Sequence, residues 1–145
     1  MSLGGLDEEV EVKTEENEPK DSKVKKKPFA YWNVGDKEYR LKLKGTSICN
    51  LEEKYKSNLL TILTGKDVPP LSVMLTVIQA AAKDWNHNLR FVDLQNAFDA
   101  YVDEGGTQLT LFADVILPLM AVSGFFTKTQ TEDMARKMED AKELM

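Results

Sequence analysis

The sequence predicts an α+β fold, mainly helical, with one N-terminal β-hairpin, four to five helices and a charged arm in front. Three observations predict it. Tyr39, Leu41 and Leu43 alternate with Glu38, Arg40, Lys42 and Lys44, the period of a strand with one face on a core and the other in water. From residue 46 onward apolar residues recur every three to four positions, the period of helices lying on a core. Residues 1–28 carry neither pattern.

Composition narrows the function classes. The chain has 145 residues, of which 42% are hydrophobic and 30% charged, enough for one domain with a tail. A net charge of -5 argues against a general nucleic-acid binder, which usually carries a basic face. One Cys and one His exclude an internal disulfide framework and a zinc site of the Cys/His type. The N-terminus lacks a basic run followed by an apolar one, so no secretory signal is expected. The most apolar stretch, Leu109 to Phe126, is interrupted by Asp114 and Pro118 and is read as a buried helix, not a membrane span. The cytoplasm is the expected compartment, consistent with a lone free Cys.

The elements follow in chain order. Residues 1–28 hold carboxylates from Asp7 to Asp21 and then reverse sign at Lys23, Lys25, Lys26 and Lys27. They contain no aromatic residue and few apolar ones, so they are expected to be a disordered arm whose burial would not offset its ordering entropy. Residues 29–44 read as a hairpin, with Phe29, Tyr31 and Trp32 leading into a tight turn at Gly35-Asp36. Residues 46–64 form a helical region with Ile48, Leu51, Tyr55, Leu59, Ile62 and Leu63 in register. Thr46 or Ser47 can cap it, Ser57-Asn58 can break it in two, and Gly65 can end it in the left-handed region. Pro69-Pro70 opens the next helix, whose stripe runs Leu71, Met74, Leu75, Ile78, Ala81, Ala82 and Trp85 until Asn86-His87-Asn88 ends it. Trp32 and Trp85 are both expected in the core.

Asp93 can cap a third helix bearing Leu94, Ala97, Phe98, Tyr101 and Val102, stopped by Gly105-Gly106. Thr107 caps the fourth, which is apolar nearly all round and should be kinked by Pro118. These elements make a domain over 29–126. Residues 127–145 form a charged tail in which Met134, Met138, Ala141 and Met145 recur at spacings of four, three and four, so a thin amphipathic helix is expected from near Thr131.

No catalytic set stands out. Cys49 and His87 are far apart in sequence, and each has a bland structural reading. Asp99 and Asp103 share a helix face, but no oxygen-rich loop completes a cation shell. The expectation is a non-enzymatic protein without cofactor or metal. What remains is apolar surface: Leu117 and Met120 on the fourth helix, Phe125 and Phe126 at its end, and Met134 and Met138 beyond, as candidate contact residues for a partner. Methionines suit surfaces that re-pack on apolar partners. The competing reading for these residues, Phe125 and Phe126 included, is that they fill the core, and for Leu117 and Met120 it is the favoured one.

The order of certain segments is familiar. An aromatic-rich hairpin precedes Leu51-Glu52-Glu53-Lys54-Tyr55 and Asn58-Leu59-Leu60-Thr61-Ile62-Leu63. Later come Phe98-Asp99-Ala100-Tyr101-Val102-Asp103-Glu104-Gly105-Gly106 and Val122-Ser123-Gly124-Phe125-Phe126. This resembles the tail assembly chaperones of siphophages and prophages of Gram-positive bacteria, over roughly residues 29–126. The charged arm departs from the compact start of that family.

The resemblance implies a protein that binds the long, apolar, helical tape measure protein while the tail tube polymerises, and that is absent from the mature virion. The tail tube protein and a frameshifted longer form of the chain are then further partners, and a homo-oligomer is compatible. No nucleic acid or membrane is expected among the partners. Two other readings compete: a structural tail or connector protein retained in the particle, and a small regulatory protein acting through Lys23–Lys27.

Overall fold

The computed structural model describes residues 29–65 and 67–143, and within the last helix it leaves some side chains, those of Met134 and Met138 among them, undescribed. The arm expected over residues 1–28 lies outside the described residues. The rest is mainly helical, with one two-stranded antiparallel hairpin at its N-terminal side.

Strand β1 (Ala30–Val34) pairs with β2 (Lys37–Leu41), Val34 opposite Lys37 and Trp32 opposite Tyr39. That register leaves Gly35-Asp36 as a two-residue turn, and Gly35 takes φ +60°, where side chains are disfavoured. The inward set is Ala30, Trp32, Val34, Tyr39 and Leu41, with Leu43 just beyond. A lone hairpin is marginal in water, so it needs support. The Lys42 N–H donates to the Ala81 carbonyl at 3.1 Å, and the Leu43 N–H to Ser123 Oγ at 2.9 Å. The strand exit is thereby fixed to two helices distant in sequence.

Helix α1 (Gly45–Tyr55) and helix α2 (Leu59–Thr64) are the two halves of the first helical region. The expected caps differ. Helix α1 begins after Lys44, one residue before Thr46, and has no side-chain cap. The left-handed residue is Lys56, at φ 55°, whereas Gly65 stays right-handed. The break is held locally: the Ser57 N–H donates to the Glu52 carbonyl, and the Leu59 N–H to the Glu52 carboxylate at 2.8 Å. Asn58 then caps α2 by accepting from the Thr61 N–H.

Helix α3 (Leu71–Ala82) follows Pro70 and buries Met74, Leu75, Val77, Ile78, Ala81 and Ala82. It stops before Trp85. That residue is 40% exposed and corrects the expectation of a core tryptophan. Trp85 lies edge-on to Phe29, with ring centroids 5.1 Å apart, and the Arg40 guanidinium sits over both rings. Trp32 is in the core, against the rings of Tyr39 and Tyr101.

Helix α4 (Phe91–Asp103) starts two residues before Asp93, which is therefore not the cap itself. Its carboxylate reaches back to accept from the Arg90 N–H at 2.9 Å and pairs with the Arg90 guanidinium at 2.8 Å. These bonds, the side-chain one foremost, hold the Asp93 carboxyl below the ordinary carboxylate range. Leu94 and Ala97 are buried, while Val102 is 45% exposed and leaves the face predicted for it.

The fourth predicted helix is one rod in three parts: α5 (Gln108–Leu111), a π turn over Phe112–Ile116, and α6 (Leu117–Val122). Thr107 caps it by accepting from the Thr110 N–H. The Leu117 N–H bonds five residues back, to the Phe112 carbonyl. Pro118 has no N–H for the Asp114 carbonyl, and its ring crowds that carbonyl. Widening the preceding turn relieves the crowding, so a π turn stands where a kink was expected. The rod supplies Leu111, Phe112, Val115, Ile116, Leu117, Leu119 and Met120 to the core. No single helix among the described residues is long and apolar enough to cross a membrane. Helix α7 (Lys128–Glu143) begins three residues earlier than expected, because Thr127 caps it: Thr127 Oγ accepts from the Gln130 N–H, and the Gln130 side chain accepts from the Thr127 N–H.

Candidate partner-binding surface

The candidate contact residues fall into three groups. Leu117 and Met120 are 7% and 0% exposed. They fill the core, the competing reading for both, and present no surface while the rod is seated. Phe125 and Phe126 are half-buried, packed against the core at the foot of the rod. Met134 and Met138 lie on α7, and their side chains are outside the described set.

The position of Phe125 follows from how α6 ends. Gly124 takes φ +93°, the Gly124 N–H bonds to the Ala121 carbonyl, and the Phe125 N–H bonds back to the Met120 carbonyl at 3.1 Å. This is a Schellman stop, which turns the chain and brings the residue after the glycine against the last helical turn. Phe125 and Phe126 are thus set between the rod and α7. Helix α7 packs chiefly on α6.

The other segment singled out in the sequence is the same device. Gly105 takes φ +101°, the Gly105 N–H bonds to the Val102 carbonyl, and the Gly106 N–H to the Tyr101 carbonyl. A Cβ on Gly106 would lie 2.4 Å from the Tyr101 ring, so only glycine fits there. The Tyr101 hydroxyl bonds Thr110 Oγ1 at 2.7 Å, across the corner between α4 and the rod. The segments at Gly105-Gly106 and Gly124-Phe125 are therefore both helix stops, and their glycines follow from backbone geometry.

Sequence patterning missed further exposed apolar residues. On α4, Phe91, Phe98 and Val102 recur at spacings of seven and four, beside the buried Leu94 and Ala97, and are half-buried or exposed. The helical period marks Phe98 and Val102 as lying on one face with Leu94 and Ala97, but not how much of that face is covered. Trp85 was missed because the helical period was extended past the end of α3.

Two open grooves of mixed lining are also present. One, of about 740 Å3, lies between the hairpin turn and α4, lined by Lys37, Glu38, Asn88, Asp93 and Asn96 among others. The other, of about 300 Å3, lies between α1 and the end of α3. Among the described residues no group of three or more His, Cys, Asp or Glu is placed to hold a metal ion. Cys49 is a free, exposed thiol, and His87 is exposed in the loop after α3.

No curated protein and no solved structure matches the chain. Residues 24–144 match a family of unknown function, DUF6096. The match takes in α7 as well as the hairpin and the rod. It covers most of the chain, and the protein belongs to that family.

Proposed function

We propose that this protein is a tail assembly chaperone that shields an apolar, helical tape measure protein during tail tube assembly. The observation that carries the proposal is the pair Phe125–Phe126, half-buried where the core rod meets α7. Aromatic residues at such a junction offer apolar area without being committed to the core. A long helical client exposes apolar stripes and aggregates unless covered. An amphipathic helix laid along a partly apolar face is the recognition mode that fits, and the stripe Phe91, Phe98, Val102 on α4 has the spacing to receive one. The net charge of -5 favours a soluble complex. Contacts of this kind are modest and reversible, so release follows from competition by tube subunits, with no covalent step.

The test is co-expression with a tape measure protein, the long helical client this reading requires. The chaperone raises the soluble fraction of that client, and Phe125→Asp with Phe126→Asp removes the rescue while circular dichroism still reports a folded chain. Rescue that survives the double substitution in a folded protein overturns the assignment of this surface. Recovery of the protein from purified particles in stoichiometric amount overturns the chaperone reading in favour of a structural tail component.

A further inference from the structure

The 300 Å3 groove between α1 and the end of α3 has an unusual charge for this chain. Its walls include Lys54 from α1 and Lys83 and His87 after α3, with Asn50, Ser47 and Gln79 between them. No Asp or Glu lines it. The nearby carboxylates are engaged elsewhere. Asp84 pairs with Lys44 at 2.6 Å, Glu53 pairs with Lys56 at 2.7 Å, and Glu52 accepts from the Leu59 N–H. Among the described residues Lys54 and Lys83 have no ion-pair partner, in a chain whose net charge is -5.

We propose that this groove binds the acidic segment Asp7–Glu18 of the same chain. That segment carries seven carboxylates and a single cation, Lys13. The attachment point favours the same molecule. Phe29, where the described chain begins, stacks edge-on to Trp85, which stands between Lys83 and His87 in sequence. Ten residues lie between Glu18 and Phe29, and the eleven Cα steps reach up to about 36–40 Å when extended. Tethering at that distance gives an effective concentration in the millimolar range, enough for a weak electrostatic contact to be populated. The contact is a bound anion held at the face opposite in charge to it, and an acidic stretch of a partner would compete for the same lysines.

Zero-length carbodiimide coupling joins a carboxylate to an amine only when the two are in contact. On the full-length folded chain, coupling of Lys54 and Lys83 to peptides from residues 7–18 is expected at about ten-fold the yield seen for Lys137, which lies outside the groove. The yield falls steeply near 1 M salt, where the screening length is about 3 Å. Glu8→Gln, Glu11→Gln and Glu15→Gln together lower it without changing circular dichroism. Mixed isotopically labelled and unlabelled chains identify the source: products within one chain support the proposal. Products only between chains, a yield no higher than that of Lys137, or no product at either lysine overturns it.

Discussion

The corner at Gly105-Gly106 and the corner at Gly124-Phe125 use one backbone device to two ends. Each stops a helix with a left-handed glycine and a bond from the next N–H to the carbonyl five residues before it. At the first corner the residue after that glycine is Gly106. The Tyr101 ring lies over it and is fastened by Thr110 and Trp32. At the second, the corresponding residue is Phe125, which is only half-buried, and no tyrosine closes the turn. A Cβ on either left-handed glycine, Gly105 or Gly124, would meet nothing within 4 Å, so the corners differ at the residue that follows. At the first corner that position is closed by the Tyr101 ring. The second spares an aromatic pair, and that difference is why the partner surface is sought there.

The largest expected effect tests the assumption that the rod is core and its end is not. Met120→Ala removes a fully buried side chain and should cost about 2–5 kcal/mol in urea unfolding. Phe126→Ala should cost clearly less, because its side chain is half in water. Equal costs would mean that Phe126 is structural and would weaken its claim to a partner. The next effect compares the glycines directly. Gly106→Ala drives a methyl group into the Tyr101 ring and should cost about 1–3 kcal/mol. Gly124→Ala meets open space and bears only the strain of its positive φ, roughly 1 kcal/mol. Thermal melts that reverse this order would break the comparison. A smaller change sharpens it: Tyr101→Phe removes the bond to Thr110 and should cost about 1 kcal/mol, leaving client rescue untouched.

The sequence carried the fold further than the site, and particular residues show why. Alternation at Tyr39, Leu41 and Leu43 marks β2 because a strand has only two faces, so period alone decides which side is buried. The Gly35-Asp36 turn is legible for a similar reason: few residues tolerate its geometry. The break at Ser57-Asn58 is legible, and the structure divides the region there, but the left-handed turn at Lys56 is not. It depends on Glu52 accepting at once from Ser57 and Leu59, a contact set by the chain folding back on itself. Helix period also says that Leu117, Met120, Phe98 and Val102 are apolar and on a face, but not how much of the face is covered. Coverage depends on neighbours distant in sequence: the hairpin lies against the rod, and nothing in spacing shows that α4 keeps Val102 outside.

The least of the expected effects concerns the other end of α4, away from its glycine stop. Asp93 is held below the ordinary carboxylate range by its bonds to Arg90, and as an anion at a helix start it also meets the positive end of the helix dipole. A group whose folded value is depressed contributes stability above its unfolded value, and that contribution is lost as pH falls through the folded value. Asp93→Asn should therefore lower the melting temperature slightly at neutral pH, and the gap from the parent chain should close in acid, where the parent carboxyl is itself neutral. A gap that persists at low pH would show that the ionised form is not what α4 uses. Because the pair is exposed, salt should narrow the gap too, whereas the cost of Gly106→Ala, which is steric, should not respond to either variable. Charge thus sets how α4 begins and shape sets how it ends, and only the second is tied to the corner that the sequence motif marks.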